Sequence, residues 1–282
     1  LPNYKEFYER RWFRPARGEE PAEVEVLGRA VLFGVDLLFQ AEGAGQAGRD
    51  VTIGVEICED LWLPIPPSAS QALAGATILL NPSASNETIG KSGYRTDLVT
   101  GQSARCIAAY AYSGAGATES TTDLVFGGHC LIAENGRLLA ESRRVGDGKP
   151  VERGSYWIEQ DVDVARLTFL RRSEATFEHP VGPVRPYRRI PVVLASTEPT
   201  DLKRFVPATP FVPVDGPELN RRCAEIFEIQ VAGLAKRVER LPAGTTLHLG
   251  VSGGLDSTLA LLVAVKTLDL LGLDRKLLRG LT

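Results

Sequence analysis

The chain of 282 residues is 44% hydrophobic and 24% charged, with a formal net charge of -3. This composition is typical of a folded globular protein and excludes disordered, collagen-like and mucin-like chains. The slight negative charge gives no general attraction to nucleic acid, and no uncharged apolar run is long enough to span a membrane. We therefore expect a cytoplasmic protein of about two domains, with neither a nucleic acid nor a membrane as partner.

The four cysteines, Cys58, Cys106, Cys130 and Cys223, lie far apart in the sequence. They form no C-x-x-C pair, and no histidine stands at metal-ligand spacing, so we predict neither a metal site nor a disulfide framework. The chain begins at Leu1 and contains no methionine. We therefore expect that further residues precede Leu1 in the translated protein.

The first part of the chain has the pattern of a mixed α/β fold. Alternating and continuous apolar runs indicate strands, an Ala- and Leu-rich stretch favours a helix, and Asn-Gly between two apolar runs is a strong hairpin signal. The predicted elements are strands in Val24–Phe39 and Val51–Cys58 around a Gly-rich loop at Ala41–Arg49, a helix at Ala69–Gly75, a buried strand at Thr77–Asn81 and a hairpin turning at Asn135-Gly136.

A proline-rich connector is predicted next, because nine of the eighteen prolines fall between Pro180 and Pro217. Asp215-Gly216-Pro217-Glu218 then has the residues of a helix start. An apolar stripe at helical spacing follows, formed by Leu219, Cys223, Ile226, Phe227, Val231, Leu234 and Val238. A strand at Thr245–Val251, a turn at Ser252–Leu255 and a helix at Asp256–Leu271 complete the pattern of a nucleotide-binding α/β fold.

The turn Gly250-Val251-Ser252-Gly253-Gly254-Leu255-Asp256-Ser257 brings open backbone N–H groups to a helix N-terminus, which favours phosphate. No lysine precedes Ser257 as in a Walker A loop, and the glycine spacing is not that of a dinucleotide fingerprint. The turn resembles the SGG-x-D-S motif of the ATP pyrophosphatases. That resemblance implies ATP binding by Gly250, Val251, Ser252, Gly253, Gly254, Leu255, Asp256 and Ser257, and adenylation with release of pyrophosphate. The alternative is a turn whose glycines serve only packing.

Cys58 stands where a predicted strand ends, within V-E-I-C-E-D-L-W. By itself a lone cysteine is best interpreted as a small buried hydrophobe. This segment, however, resembles the nucleophile strand of the nitrilase superfamily of carbon–nitrogen hydrolases, in which the cysteine attacks an amide carbonyl. Because the thiolate is the reactive form, the chemistry also needs a lysine and a carboxylate close by.

The first nine residues, L-P-N-Y-K-E-F-Y-E, resemble the segment after the essential lysine in the glutaminase domain of glutamine-dependent NAD synthetases. Similar stretches continue at positions 61–68, 72–77, 81–85, 103–106 and 119–124. The resemblance implies that the lysine and the general-base glutamate precede Leu1. It also implies that Glu6 is the supporting catalytic glutamate and that Tyr4, Ser85 and Lys91 line the glutamine pocket, whereas we expect Lys5 to face solvent.

The resemblance implies an α/β fold: a nitrilase-like α-β-β-α sandwich followed by the first part of a Rossmann-like ATP-pyrophosphatase domain. The predicted domains are residues 1–179 (glutaminase, N-terminal part missing), 180–216 (connector) and 217–282 (start of the ATP-binding domain). The implied activity is hydrolysis of glutamine to supply ammonia, which amidates deamido-NAD to NAD with ATP and Mg²⁺ in a homo-oligomer. We expect this chain alone to be inactive.

Three alternatives stay open at this stage. A free-standing nitrilase-type amidase would explain Cys58 but not the glycine turn. Another pyrophosphate-releasing amidotransferase would explain the glycine turn but not the surroundings of Cys58. A binding or scaffold protein could keep the fold and lack the chemistry.

Overall fold

The computed structural model describes residues 22–42, 51–119, 123–148, 155–178, 185–194, 201–210 and 216–282. Two of the predicted site residues, Tyr4 and Glu6, lie outside these ranges. The chain divides into two compact units, Leu1–Phe205 and Val206–Thr282. This division falls inside the segment predicted to be the connector.

The first unit contains a seven-stranded mixed sheet with the strand order β8-β7-β6-β5-β4-β3-β9. Strands β4, β5 and β6 are parallel, and the strands next to them on both sides, β3 and β7, run antiparallel to them. A separate hairpin pairs β1 with β2. The strands are β1 Glu23–Val26, β2 Arg29–Leu32, β3 Leu37–Glu42, β4 Thr52–Val55, β5 Ile78–Ser83, β6 Ala109–Gly114, β7 Cys130–Glu134, β8 Arg137–Glu141 and β9 Arg188–Val193.

Two helices connect the parallel strands and cover one face of the sheet. Helix α1 (Pro67–Leu73) joins β4 to β5, and α2 (Lys91–Cys106) joins β5 to β6. The core between helices and sheet is built from fully buried side chains that include Leu79, Val99 and Tyr110. Parallel strands need such crossovers, and the crossovers bring the carboxyl ends of β4 and β5 to one edge of the sheet. Two further helices follow, α3 (Val164–Ser173) and α4 (Ala175–Glu178).

Several elements confirm their sequence predictions. Strand β5 covers the buried run predicted at Thr77–Asn81, and α1 covers most of the predicted helix at Ala69–Gly75. The β7–β8 hairpin turns at Asn135 and Gly136, which have φ angles of 45° and 84°. Two consecutive residues with positive φ are the requirement of a tight hairpin turn, and Asn-Gly satisfies it at little cost.

The first apolar stretch differs from its prediction. Val24–Phe39 is not one strand, because the chain reverses at Leu27 and Gly28, with φ angles of 53° and 73°, before β3 begins. Leucine rarely adopts this conformation, so the residue types in this stretch do little to indicate the turn.

The predicted connector also contains a strand. Strand β9 pairs in parallel with β3 at the edge of the sheet. Its Pro191 is tolerated because an edge strand leaves one row of N–H groups unpaired. Arg188 fixes this strand through Asp36, at 2.9 Å between the guanidinium and carboxylate.

The mixed α/β class of the first unit is confirmed. The described residues supply one sheet layer and one helix layer of the predicted sandwich. On the face opposite α1 and α2, the apolar side chains Ile53 and Leu80 are only partly buried, and Val55 is 37% exposed. A half-exposed apolar sheet face of this kind is what a second layer would cover.

The second unit contains α5 (Gly216–Val238), β10 (Leu247–Gly250), α6 (Leu255–Leu270) and β11 (Leu278–Leu281), with β10 and β11 parallel. The predicted strand, turn and helix are confirmed. The apolar stripe of α5 is only partly buried within the unit, since Val231 is buried whereas Cys223 and Ile226 are exposed. No helix among the described residues is long and apolar enough to cross a membrane.

Candidate active site

Cys58 begins a single 3₁₀ turn, Cys58–Trp62, which is separated from the end of β4 by Glu56 and Ile57. It is half-buried and has a φ angle of 53°, a left-handed conformation that is strained for a residue with a side chain. Asn81 of β5 holds this backbone on both sides. Its Oδ1 accepts a hydrogen bond from the Cys58 N–H at 2.9 Å, and its Nδ2 donates to the Cys58 carbonyl at 3.2 Å.

A buried polar chain continues from Asn81 into the core. The Asn81 Nδ2 also donates to the Tyr110 hydroxyl at 3.0 Å, and that hydroxyl donates to Glu56 Oε1. The other Glu56 oxygen accepts from the Ser68 N–H at 2.7 Å. Burial raises the pKa values of Glu56 and Tyr110. The tyrosine therefore keeps its proton at neutral pH and can serve as the donor to Glu56.

Ser85 follows β5 closely and is buried, with 6% of its surface exposed. Its hydroxyl accepts from Arg95 Nη2 at 3.5 Å. Beside it, the Tyr112 hydroxyl donates to Ser83 Oγ at 2.7 Å, and the Arg95 guanidinium lies 5.7 Å from the centre of the Tyr112 ring. The predicted pocket residue Ser85 thus lies in a polar wall at the carboxyl end of β5 and β6.

Lys91, the first residue of α2, is brought to the turn that carries Cys58. Its Nζ donates to Asn86 Oδ1 at 2.6 Å and lies 5.4 Å from the centre of the Trp62 ring, which ends that turn. Trp62 also packs against Tyr94, with 5.3 Å between ring centres. Cys58, Ser85 and Lys91 are therefore all placed at the end of the sheet where β4 and β5 finish.

Sequence reasoning missed Arg95, which is 1% exposed and lies one helical turn after Lys91. Its Nη1 donates to Glu87 at 2.9 Å and to His129 Nδ1 at 2.8 Å. Since Nδ1 accepts, Nε2 carries the ring proton and donates to Glu141 at 2.8 Å. Burial lowers the pKa of His129, in agreement with a neutral ring. The sequence signal for Arg95 was its spacing of four residues from Lys91, which places both cations on one face at the start of α2.

The glycine turn of the second unit lies between β10 and α6. Gly253 has a φ angle of 82°, and the Ser252 and Ser257 hydroxyls are 3.2 Å apart. Among the described residues, no atom lies within 4 Å of a Cβ built on Gly250 or Gly253, and the nearest atom for Gly254 is the Ser252 Oγ at 3.6 Å. Close packing by neighbouring atoms therefore does not explain why these three positions are glycines. The open loop at a helix N-terminus fits a bulky anion such as phosphate.

No protein-family model matches the chain. Curated proteins do match it. The glutamine-dependent NAD(+) synthetase of Mycobacterium tuberculosis (strain ATCC 25618 / H37Rv) is 44% identical over 280 residues, which are 98% of this chain and 40% of that protein. The protein of the same name from Mycobacterium leprae is 43% identical over 283 residues, 98% of this chain and 39% of its own length.

The chain is similar in sequence to glutamine-dependent NAD(+) synthetases over nearly its whole length. It spans about two fifths of the length of the synthetases that it matches. Among solved structures, the glutamine-dependent NAD(+) synthetase of Cytophaga hutchinsonii is 34% identical, covers 49% of this chain and 20% of its own, and has a TM-score of 0.39. The similarity to these synthetases rests on the sequence comparisons.

Proposed function

We propose that this chain carries the glutaminase nucleophile and part of the nucleotide site of a glutamine-dependent NAD(+) synthetase. The proposal depends chiefly on one observation. Cys58 is held in a left-handed conformation at a strand end, half-exposed, beside the elements that carry Ser85 and Lys91. The similarity to NAD(+) synthetases over 98% of the chain supports it.

In the proposed first half-reaction, the Cys58 thiolate attacks the side-chain amide carbon of glutamine. The tetrahedral intermediate collapses as a proton is delivered to the leaving nitrogen, so ammonia departs and a glutamyl thioester forms. Water then attacks the thioester, which releases glutamate and returns the thiol. Hydrogen-bond donors directed at the carbonyl oxygen would stabilise its developing charge.

Lys91 and Ser85 are proposed to bind glutamine, together with Tyr4. The Lys91 ammonium is the chemical complement of the substrate's α-carboxylate, and the Ser85 hydroxyl can donate to an oxygen or accept from an amine. Glu6 is proposed to support the catalytic lysine. Positions 4 and 6 lie outside the described residues, so these two roles rest on the resemblance alone.

The turn from Gly250 to Ser257 is proposed to hold the phosphates of ATP. Its open space and its position at the start of α6 support this role. The second half-reaction would adenylate the nicotinate carboxylate of deamido-NAD with release of pyrophosphate, and ammonia would displace AMP to give NAD. Mg²⁺ would enter with the phosphates, because this ion is usually bound through substrate phosphates and only one or two carboxylates.

A homo-oligomeric assembly and a cytoplasmic location are further parts of this proposal. Both come from the resemblance and the composition of the chain. Size-exclusion chromatography with light scattering would measure the assembly directly, and a single-subunit mass would contradict it.

Cys58→Ala tests the glutaminase half. In the natural gene product that contains this chain, we expect the substitution to abolish glutamate release from glutamine while ammonia-dependent NAD formation continues. Cys130→Ala, at another half-buried cysteine, is the matched control and should keep both activities. Glutamine hydrolysis that survives in Cys58→Ala would refute the assignment.

Gly254→Ala tests the nucleotide half. Gly254 has a φ angle of −80° and a ψ angle of 168°, which alanine adopts freely, but the added methyl group would enter the open loop near Ser252. We expect ATP affinity to fall at least about tenfold, with the free energy of unfolding changed by less than about 1 kcal/mol. Gly233→Ala, in an open position of α5, should leave ATP affinity unchanged. Equal ATP binding by both variants would contradict a phosphate role for the loop.

A further inference from the structure

The polar chain behind Cys58 is fully buried and joins residues far apart in sequence. Asn81, Tyr110 and Glu56 are 1%, 0% and 2% exposed, respectively. None of them can contact a substrate directly from such a position. Buried polar groups of this kind are costly unless every member is paired, so their presence next to a strained cysteine calls for a physical explanation.

We propose that Asn81 is a positioning residue for the Cys58 nucleophile, and that Tyr110 and Glu56 act through it by fixing the orientation of its amide. The inference rests on the proposed glutaminase function and adds three residues to it. In this inference the Cys58 sulfur is the group that reacts with glutamine, and the three added residues only position it.

The Asn81 amide is the hydrogen-bond partner of both backbone groups of Cys58, the N–H donor and the carbonyl acceptor. Its oxygen accepts from the Cys58 N–H at 2.9 Å, and its nitrogen donates to the Cys58 carbonyl at 3.2 Å. Both backbone polar groups of Cys58 are thereby fixed relative to β5. A residue with a φ angle of 53° needs such external contacts, since its own conformational preference favours a return to negative φ.

Only one orientation of the Asn81 amide fits these neighbours. The Tyr110 hydroxyl gives its proton to Glu56, so toward Asn81 it can only accept, and Nδ2 must face it. A reversed amide would set its oxygen against two acceptors, the tyrosine oxygen and the Cys58 carbonyl. It would also set its NH₂ group against the Cys58 N–H.

Glu56 determines the direction in which the hydrogen bonds of this buried polar network run. One of its oxygens is occupied by the Ser68 N–H at 2.7 Å, and the other accepts from Tyr110. As long as both oxygens accept, the tyrosine proton points away from Asn81. The hydrogen-bond direction set at Glu56 therefore passes through Tyr110 and Asn81 to the backbone of Cys58.

Three substitutions test this role. Tyr110→Phe removes one oxygen and keeps the ring in the core. Glu56→Gln keeps the size of the side chain, but the new amide oxygen must accept from the Ser68 N–H. Its NH₂ group then faces Tyr110 and reverses the direction of the hydrogen bonds from Tyr110 to Asn81. Asn81→Ala removes both side-chain hydrogen bonds to the Cys58 backbone. Glu134→Gln is the control at a buried carboxylate on the remote strand β7. Glu134 is also 2% exposed and accepts the Asp163 N–H at 2.8 Å, and it additionally pairs with Arg204 at 2.6 Å.

The measurement is the steady-state rate of glutamate release by the natural gene product that contains this chain. We expect kcat to fall about 10- to 100-fold in Tyr110→Phe, Glu56→Gln and Asn81→Ala, with KM changed less than about threefold, because a misplaced nucleophile slows the attack and leaves binding intact. Iodoacetamide should still alkylate Cys58 in each folded variant, and Glu134→Gln should keep the wild-type kcat.

Three results would overturn the inference: wild-type kcat in Tyr110→Phe and Glu56→Gln, an equal loss of kcat in Glu134→Gln, or a change confined to KM. Thermal unfolding of each variant shows whether it is folded, and Tyr110→Phe is the mildest of the three. Failure of the proposed function would look different, since glutamate release by the unsubstituted protein would then not depend on Cys58 at all.

Discussion

Arg171 is buried and donates hydrogen bonds to three backbone carbonyls. Its Nη2 donates to the Ala76 and Cys106 carbonyls at 2.6 and 2.8 Å, and its Nε donates to the Ile107 carbonyl at 3.0 Å. Burial lowers the pKa of Arg171 to about 10, which leaves it charged at neutral pH. At the scale of single residues, this cation caps the C-terminal end of α2.

Arg171→Met should lower the free energy of unfolding by roughly 2–4 kcal/mol, because buried carbonyls would lose their donors. Urea denaturation followed by circular dichroism measures the change. The neighbouring Arg172 is exposed, so Arg172→Met is a matched control with an expected change below about 0.5 kcal/mol. Equal losses in the two variants would contradict the capping role.

His129 should make the fold sensitive to mild acid. Burial lowers its pKa, so the unfolded chain takes up a proton at a higher pH than the folded protein does. The contribution of the neutral ring is therefore complete above about pH 6.5 and decreases as the pH falls below that value.

Urea titrations at pH 7.5 and 5.5 test this effect. The wild-type protein should lose more stability between the two pH values than His129→Asn does. His248→Asn, at an exposed histidine, is the comparison variant for the same substitution outside the core. A steeper loss in His129→Asn than in the wild type would show that the sign is wrong.

Individual site residues were predictable from the sequence only where a local motif carried them. Cys58 and the glycine turn belong to short contiguous patterns, so they could be selected as candidates. Asn81 and Tyr110 could not, because their partners lie 23 and 54 positions away along the chain. Only the pairing of strands and the folding of the crossovers bring such groups together.

At the scale of elements, the residue types in each turn determined which turns could be predicted from the sequence. The β7–β8 hairpin follows from Asn135-Gly136, whereas the β1–β2 reversal at Leu27-Gly28 uses an uncommon turn residue. Strand β9 was missed because its proline and two adjacent arginines match no regular pattern. It is held by pairing to β3 and by contacts such as Arg189 Nη2 to the Ala74 carbonyl at 2.6 Å, which are distant in sequence.

Gly136→Ala should destabilise the hairpin. Gly136 has a φ angle of 84°, and an added Cβ would lie 3.1 Å from the Ala104 Cβ. We expect a loss of about 1–2 kcal/mol in the free energy of unfolding. Gly101→Ala, in an open helical position of α2, should instead stabilise the protein by up to about 1 kcal/mol. Hydrogen exchange of the β7 and β8 amides would locate the effect, and unchanged exchange in Gly136→Ala would contradict it.

At the scale of the whole molecule, the chain divides into two compact units with two different candidate sites. One unit supplies a cysteine at a sheet edge, and the other supplies an open glycine loop. Neither feature alone would favour an amidotransferase over a simple amidase or a nucleotide-binding protein. The choice of an amidotransferase over these two alternatives is supported by the occurrence of both features in one chain and by the similarity to NAD(+) synthetases.

We expect residues 1–282 alone to release no more glutamate from glutamine than their Cys58→Ala variant. The reason is that the chain spans only about two fifths of the length of the synthetases that it matches. A coupled glutamate dehydrogenase assay measures the release. Activity above that control would show that the described site needs no residue outside this chain.

Covalent labelling by a glutamine analogue with a diazoketone in place of the amide tests the central claim most directly. The natural gene product that contains this chain is treated with the analogue, digested and mapped by mass spectrometry. We expect one adduct, on the Cys58 sulfur, with excess glutamine preventing its formation. Labelling of the exposed Cys223 instead, or labelling of Cys58 that glutamine does not prevent, would contradict the assignment of Cys58 as the glutaminase nucleophile.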